Sequence, residues 1–440
     1  MDRRPPRPLA VPSGRLTRLM RIGGLATGIG SRAIAQGLGQ LATGRRPDAR
    51  ELLMTPANAA RLAAQLSRMR GAAMKVGQLV SMETGQFLPP QLAVTLEGLQ
   101  AGSDHMPERQ LRTVLTRAWG DDWQIRFFRF DMTPTAAASI GQVHRAVTRD
   151  GRTLAVKVQY PGVRASIDSD VDNLGMLLRL SGLLPQGLDI APMLTEARQQ
   201  LHAEADYLAE AANMTAYGKV LGDRPGIVMP APDMALTSDQ VLAMDFIDSQ
   251  PIDSLVTAPA ETRDRVGQDL IDLAMDELFT FNLMQTDPNF ANYRWQGDSG
   301  RIVLLDFGAL RGFSTDLAPK YKALLRAGLA NDQAALQKAA INIGYLAPNA
   351  GDEQRVAVLQ MLDLAFAPLR RGGIFDAAET LIPQQIADIA LRLSKSPRAA
   401  YMPPPEVMFL HRKLGGMFLL MARLRVRIDF ERLLARLNVS

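Results

Sequence analysis

Apolar positions change their spacing along the chain, and the changes predict three kinds of segment. Before about residue 120 they recur at helical spacing, most clearly from Asn58 to Leu79. After Trp123, short runs of β-branched and aromatic residues predict strands. After Ser314 nearly every apolar run again has helical spacing. The predicted order is therefore a helical segment, a small sheet with inserted helices, and a helical half.

Turn signals, such as Pro134 and the Asp150-Gly151 pair, separate the β-rich runs. The predicted strands are Phe127–Phe130, Ile140–Val147, Thr153–Val158, Ile227–Met229, Gln240–Phe246 and Ile302–Asp306. The predicted helices that accompany them are Asp168–Leu184, Met193–Tyr217 and Thr262–Phe281. This pattern predicts an α+β fold with two lobes, in which a small β-rich N-lobe precedes a helical C-lobe.

Composition narrows the possible functions. With 440 residues, of which 47% are apolar and 22% charged, the chain can bury a core and should hold two or three domains. The sequence contains no cysteine, which excludes disulfides, thiolate zinc sites, iron–sulfur clusters and cysteine nucleophiles. The four histidines do not show metal-ligand spacing. Common metallohydrolases are therefore not expected.

Charge is unevenly distributed. The first 46 residues hold nine arginines and one acidic residue, so they carry +8 and the remaining chain carries −3. A basic arm of this kind suits an anionic surface. Aromatic residues make up 6% of the chain, and none is interleaved with the arm. The expected partner of the arm is therefore a membrane surface, and nucleic-acid binding is not expected. The sequence shows no run of about 20 apolar residues, so membrane contact should be peripheral.

Lys157 lies in an apolar run that predicts a strand. Lysine is scarce here, with 8 lysines against 42 arginines, so this position favours a role for a compact ammonium, such as contact with phosphate. The turn that precedes it, where kinase-like folds carry a Gly-rich loop over the nucleotide phosphates, reads Ala136-Ala137-Ala138-Ser139. Glu210 follows on a predicted helix at a separation suited to pairing with Lys157.

A second group of motifs follows the predicted helix Thr262–Phe281. Asp287 and Asn292 have the D-x-x-x-x-N spacing of the kinase catalytic loop, in which Asp accepts a hydroxyl proton and Asn binds Mg²⁺. Asp306 leaves an apolar strand at a Phe-Gly turn, where kinases place the other metal ligand. The ordered set predicts binding of ATP or ADP with Mg²⁺.

Together these motifs resemble the UbiB/AarF/ADCK family of atypical protein-kinase-like proteins over about residues 20 to 430. The motifs that carry the resemblance are Lys75-Val76-Gly77-Gln78, Ala136-Ala137-Ala138-Ser139, Val156-Lys157-Val158-Gln159-Tyr160-Pro161-Gly162, Glu204-Ala205-Asp206, Thr286-Asp287-Pro288-Asn289 and Asp306-Phe307-Gly308. The abundance of proline and arginine at the N-terminus predicts a disordered basic arm over residues 1–20. The resemblance implies a helical extension with the K-x-G-Q motif over 21–120, a kinase-like N-lobe over 121–246 and a helical C-lobe over 247–440.

The resemblance also implies roles for individual residues. Asp287, Lys157 and Glu210 form the catalytic set, and Asn292 and Asp306 hold the metal. The implied nucleotide-binding set is Ala136, Ala137, Ala138, Ser139, Lys157 and Met244. The implied regulatory set is Lys75, Gln78, Glu204 and Asp206, with Lys75 approaching the last two and its helix restricting the cleft.

By the same resemblance, the protein is a membrane-stimulated ATPase that supports ubiquinone biosynthesis. Its expected partners are an anionic membrane surface or lipid-like quinone precursors, with quinone-biosynthesis proteins. The expected location is the bacterial cytoplasm, peripheral to the inner membrane. The alternative is the mitochondrial matrix side, since the Arg-rich N-terminus is also similar to a transit peptide, and since Gln285 stands where many bacterial members have His.

Two other functions remain open. One is a small-molecule phosphotransferase, against which the K-x-G-Q helix argues. The other is a non-catalytic nucleotide-binding scaffold, against which the complete set of Asp287, Asn292 and Asp306 argues. Protein phosphorylation is not expected, since Gly308 is followed by helix without a long activation segment or an A-P-E element.

Overall fold

The computed structural model describes residues 71–72, 75–76, 105–180, 190–287, 289–394 and 403–438. The basic arm over 1–20 and Gln78 lie outside these residues, as does most of the predicted helix Asn58–Leu79. Its described residues, 71–72 and 75–76, are helical.

Helices occur throughout the described residues. They are α1 (Glu108–Trp119), α2 (Val163–Leu180), α3 (Ala191–Glu204), α4 (Tyr207–Leu221), α5 (Ala260–Asp276), α6 (Leu317–Leu329), α7 (Gln333–Ile343), α8 (Asp352–Arg371), α9 (Ile382–Ser394), α10 (Pro405–Leu424) and α11 (Phe430–Leu437). Along the described part of the chain, no helix is long and apolar enough to cross a membrane.

Strands occur in both halves of the described residues, and the longest lie between Gly141 and Gln159. They are β1 (Phe127–Phe130), β2 (Ala136–Ala137), β3 (Gly141–Thr148), β4 (Thr153–Gln159), β5 (Ile227–Val228), β6 (Val241–Asp245), β7 (Gln250–Pro251), β8 (Leu283–Gln285), β9 (Tyr293–Gln296), β10 (Arg301–Leu304), β11 (Leu310–Gly312), β12 (Ile374–Asp376) and β13 (Arg427–Asp429). The α+β class predicted from the sequence is confirmed.

The chain divides into two compact units. Unit 1 comprises the described residues up to Ala212 together with Ala231–Phe246, and unit 2 comprises Asn213–Pro230 and the residues from Ile247 onward.

Unit 1 contains an antiparallel sheet in the order β1-β3-β4-β6, with β2 also paired to β3. The sheet packs on α1 through a core rich in aromatic residues, in which Trp119, Trp123 and Phe127 contact one another. Strand β4 lies between β3 and β6. Its residues from Leu154 to Val158 pair with residues of both strands in an unbroken register. Lys157 therefore lies on a strand that is paired along both edges.

Unit 2 is mostly helical. Its apolar core includes side chains of α6, α7, α8 and α10, and a four-stranded sheet has the order β5-β10-β9-β7. Strands β8 and β11 form a separate antiparallel pair. The sequence did not predict β8, β9 or β11, because these short strands lack the continuous apolar run that marks β10 and are too short to show a hydrophobic period.

Two predicted helices differ from the observed ones. The prediction of one helix over Met193–Tyr217 is wrong, because α3 ends at Glu204 and α4 begins at Tyr207. The break is stabilised by Asp206, whose carboxylate accepts the Ala209 backbone N–H as an N-cap. The predicted helix Thr262–Phe281 is α-helical only to Asp276 and then continues as a π turn, Glu277–Phe281.

Candidate functional site

Lys157 and Glu210 form a buried ion pair in unit 1. Lys157 Nζ lies 2.8 Å from Glu210 Oε1 and 3.1 Å from Oε2. The Glu210 side chain is only 1% exposed, whereas that of Lys157 is 14% exposed. A carboxylate so far from water requires a partner charge. The pair therefore fixes the ammonium on β4 while leaving part of the lysine side chain accessible.

The break between α3 and α4 separates the acidic residues of this segment. Glu204 ends α3, and its Oε1 lies 2.6 Å from Lys75 Nζ. Its Oε2 accepts a hydrogen bond from Ser139 Oγ at 2.5 Å. Asp206 caps α4 and lies 3.9 Å from Arg164. Glu204 thus joins the K-x-G-Q helix to the alanine turn.

The turn over Ala136–Ser139 is closed by backbone hydrogen bonding. Ala138 N–H donates to Gly141 O at 2.9 Å, and Ala136 pairs with Val143. A Cβ on Gly141 would lie 2.3 Å from Val158 O, so only glycine permits this approach to β4.

The K-x-G-Q helix packs directly on this turn. A Cβ on Gly71 would lie 3.1 Å from Ser139 O and 3.2 Å from an Ile140 methyl carbon. Lys75 is buried. The helix therefore contacts the alanine turn in two ways. Gly71 packs closely against Ser139 and Ile140, and Lys75 is linked to Ser139 through Glu204.

Met244 was assigned to the nucleotide-binding set. It lies on β6 opposite Ala155, two residues along β4 from Lys157, and is largely buried. The sheet thus places it near Lys157 in register, and its contact with a nucleotide stays a prediction.

Strand register in unit 2 brings together the two motifs that are predicted to bind metal. Tyr293 pairs with Leu304 where β9 meets β10. The residues just outside that pair, Asn292 and Leu305, are joined by a hydrogen bond from Leu305 N–H to Asn292 O at 3.1 Å. Asp306 is the next residue. Two short strands therefore place Asn292 opposite Leu305, which directly precedes Asp306.

A second set of hydrogen bonds links the D-x-x-x-x-N loop to the D-F-G turn. The Thr286 backbone N–H and Oγ1 both donate to Ala309 O, at 3.1 and 2.8 Å. Asn292 Nδ2 donates to Asp287 O at 3.2 Å. Asp306 Oδ1 accepts the Gly308 N–H at 3.0 Å. The three predicted site residues of unit 2 are thus held by neighbouring backbone groups.

The donor chemistry of this group fits Mg²⁺. Asn292 and Asp306 supply amide and carboxylate oxygens, which are hard ligands, and Mg²⁺ commonly uses one or two protein ligands with water and substrate phosphates. Among the described residues there is no cluster of three or more His, Asp or Glu that could hold a metal ion. The arrangement therefore fits a metal ion that shares its coordination with a phosphorylated ligand.

Phe307 of the D-F-G turn is fully buried. Its ring lies 5.2 Å from that of Tyr217, and its carbonyl accepts a hydrogen bond from Asn213 Nδ2 at 2.9 Å. This packing fixes the backbone on the C-terminal side of Asp306.

Four residues that the sequence did not single out as site residues, namely Lys413, Glu277, Tyr293 and Arg412, contact the loop or one another. Lys413 Nζ lies 3.1 Å from Glu277 Oε2 and donates to Tyr293 Oη at 2.9 Å. Arg412 Nη2 lies 3.6 Å from Asp287 Oδ1. The available signal was the basic run His411-Arg412-Lys413, which interrupts an otherwise apolar helix.

This second Lys–Glu pair is more deeply buried than the first. Burial by itself would lower the pKa of Lys413, but Glu277 and Tyr293 together raise that pKa above its ordinary value. Glu277 also accepts hydrogen bonds from Tyr217 Oη at 2.8 Å and from the Gln285 backbone N–H at 3.1 Å. Lys413 therefore stays charged and anchors the strand that leads into Asp287.

Comparison with known proteins identifies clear relatives. Residues 98–340 match the model of the ABC1 atypical kinase-like domain. The chain is 36% identical over 429 residues to "Atypical kinase COQ8, mitochondrial" of Saccharomyces cerevisiae, covering 96% of this chain and 85% of that protein. It is 37% identical over 426 residues to "Atypical kinase COQ8B, mitochondrial" of Rattus norvegicus, covering 95% of this chain and 79% of that protein.

A solved structure gives a consistent result. The Rv3197–erythromycin complex from Mycobacterium tuberculosis superposes with a TM-score of 0.60 at 25% sequence identity. The superposition covers 86% of this chain and 95% of that chain. The similarity to known proteins thus extends well beyond the region that matches the domain model.

Proposed function

Since the chain belongs to the ABC1 atypical kinase-like family, which is the UbiB/AarF/ADCK family, we propose that it is an Mg-ATP-dependent ATPase that supports ubiquinone biosynthesis at a membrane surface. The observation that carries the ATP-dependent part is the intact oxygen set of Asp287, Asn292 and Asp306, held by strand register and backbone hydrogen bonds.

Each residue has a defined task in hydrolysis. Lys157 contacts the α- and β-phosphates, and Glu210 holds its ammonium in place. Asp287 accepts a hydrogen bond from the attacking water and takes its proton as the new P–O bond forms. The bond from the γ-phosphorus to the bridging oxygen breaks, and ADP leaves with inorganic phosphate.

Asn292 and Asp306 would hold Mg²⁺, which supplies charge neutralisation for the phosphates when bound. The other nucleotide-binding residues are the alanine turn over Ala136–Ser139 and Met244. Alanines in place of glycines restrict how closely the backbone approaches phosphate, so the nucleotide affinity differs from that of a Gly-rich loop.

Transfer to water fits this chain better than transfer to a protein. After Gly308 the chain forms β11 and then α6, and the sequence holds no A-P-E element to carry a peptide substrate. The K-x-G-Q helix, anchored through Lys75 and Glu204, is held against the alanine turn. Lys75, Gln78, Glu204 and Asp206 serve to restrict access to the nucleotide site.

The proposed partners are an anionic membrane surface, lipid-like quinone precursors and quinone-biosynthesis proteins. The arginines of the first 46 residues support the membrane surface, since they carry the excess positive charge of the chain. The names of the yeast and rat relatives include "mitochondrial". These names favour the mitochondrial matrix side over the bacterial cytoplasm, which the comparisons do not support.

The test is Mg²⁺-dependent ATP hydrolysis with and without anionic phospholipid vesicles, using Asp306→Asn as the blank. We expect turnover that rises on the vesicles and is lost in the variant. Equal phosphate release from wild type and variant, with nucleotide binding retained, would overturn the ATPase and favour a scaffold. Accumulation of a phosphorylated small molecule from a metabolite extract, in place of phosphate, would favour a phosphotransferase.

A further inference from the structure

The basic run on α10 directs its side chains at different partners. Lys413 is 2% exposed and is bonded to Glu277 and to Tyr293. Since Glu277 also accepts the Gln285 backbone N–H, the helix is fixed to the strand that immediately precedes the D-x-x-x-x-N loop. The position of α10 beneath that loop is therefore set by a buried charge pair.

Arg412 is the neighbour of this anchor. Its Nη2 lies 3.6 Å from Asp287 Oδ1, and the two side chains are 15% and 9% exposed. The contact is an ion pair without a hydrogen bond, and because a guanidinium is always charged, it attracts the carboxylate toward α10. The segment Thr286–Asn292 itself contains no cationic residue. The cation beside Asp287 thus comes from a helix far along the chain.

We propose that Arg412 is a positioning residue that holds the Asp287 carboxylate in the orientation needed for the attacking water. Asp287 is then fixed at two points, its carbonyl by Asn292 Nδ2 and its carboxylate by Arg412. This inference rests on the proposed ATPase function, in which Asp287 meets the water. Because reaction requires near-attack geometry, a displacement of about 1 Å can cost about 10²-fold in rate.

The experiment compares Arg412→Gln and Arg412→Lys with wild type in steady-state MgATP hydrolysis on anionic phospholipid vesicles. The matched control is Arg427→Gln, which removes an Arg–Asp pair with Asp264 at the surface of the same unit. For Arg412→Gln we expect kcat to fall about 10–100-fold while the KM for MgATP stays within about twofold. Arg412→Lys should recover part of kcat, since lysine restores the positive charge without the planar guanidinium group. The control retains wild-type values.

Three results would overturn the inference. The first is an unchanged kcat in Arg412→Gln, and the second is a raised KM with kcat intact, which would make Arg412 a nucleotide-binding residue. The third is Arg412→Lys as impaired as Arg412→Gln while circular dichroism shows both to be folded.

A readout without turnover separates this inference from the proposed function. If wild type itself hydrolyses no ATP, the proposed function fails, and a double-mutant cycle of Asp287→Asn and Arg412→Gln on the free energy of unfolding decides the inference. Non-additive losses would support the coupling of the two side chains. Additive losses would overturn it.

Discussion

The two units contain Lys–Glu pairs of the same chemistry and different accessibility. In unit 1, Lys157 pairs with a fully buried Glu210 but keeps part of its own side chain exposed. In unit 2, Lys413 and Glu277 are both sealed from water, Tyr217 Oη donates a hydrogen bond to Glu277, and Lys413 donates one to Tyr293 Oη. An accessible ammonium can contact a phosphate while it keeps its carboxylate partner, whereas a fully buried one can only stabilise the structure. Burial, more than residue type, separates the proposed catalytic lysine from the structural one.

The largest effect is expected when the sealed pair is broken. Lys413→Met leaves the Glu277 carboxylate buried without its cation, which should lower the free energy of unfolding by about 3–5 kcal/mol. Urea unfolding followed by circular dichroism measures the loss. As a control, adding Glu277→Gln to Lys413→Met removes the unpaired charge and should recover most of the stability. A loss below about 1 kcal/mol in the single variant would show that the pair does not anchor unit 2.

A conservative change at the accessible lysine should instead affect turnover. Lys157→Arg keeps a positive charge against Glu210 but replaces a compact ammonium by a planar guanidinium. We expect MgATP hydrolysis to fall about 10²-fold, with the free energy of unfolding within about 1 kcal/mol of wild type. Lys320→Arg, at an exposed lysine paired with Asp316, is the matched control and should change neither quantity. Full turnover in Lys157→Arg would remove the distinction between the two lysines.

His144 sharpens the comparison, because this buried group of unit 1 is held neutral. Its Nε2 lies 2.8 Å from Gln142 Nε2 and its Nδ1 2.8 Å from Asp131 O, so the neutral ring accepts at one nitrogen and donates at the other. Burial lowers the pKa of His144 below its ordinary 6.5. The folded protein therefore binds fewer protons than the unfolded chain below that pH, and stability falls as the pH falls through 6.5.

The loss should reach at most about 1.4 kcal/mol per pH unit. Thermal or urea unfolding over about pH 7.5 to about pH 5 measures this loss of stability. His144→Gln, which keeps a polar side chain without a titrating group, should show a smaller slope over this range. An identical slope in wild type and variant would contradict the account of His144.

The sequence predicted the residues that lie in local motifs and missed those that act across elements. Lys157 stood out because a single lysine interrupts an apolar strand, and Asp287 and Asn292 because they have a fixed spacing on one loop. Lys413 and Arg412 carry no such signal, since their partners lie far away in the chain and only the packing of α10 brings them together.

The fold shows the same division. The longer strands of the unit 1 sheet were predicted to within a residue or so, because their hydrophobic pattern is long enough to read. The break between α3 and α4 was missed, because helical spacing of apolar residues continues through Ala205 while the decisive feature is the capping hydrogen bond of Asp206. The short strands β8, β9 and β11, which adjoin the predicted site residues, depend on pairing that no local pattern encodes.

The central claim is that unit 2 holds Mg²⁺ through Asn292 and Asp306 when a nucleotide binds. Isothermal titration calorimetry of ADP into the full chain, with and without MgCl₂, tests it most directly. The matched control for Asp306→Asn is Asp316→Asn, at an exposed aspartate of the same unit. The account predicts that Mg²⁺ strengthens ADP binding about tenfold or more in wild type and in Asp316→Asn. In Asp306→Asn, Mg²⁺ should leave the affinity for ADP unchanged. ADP binding to wild type that is equally tight with and without Mg²⁺ would contradict it.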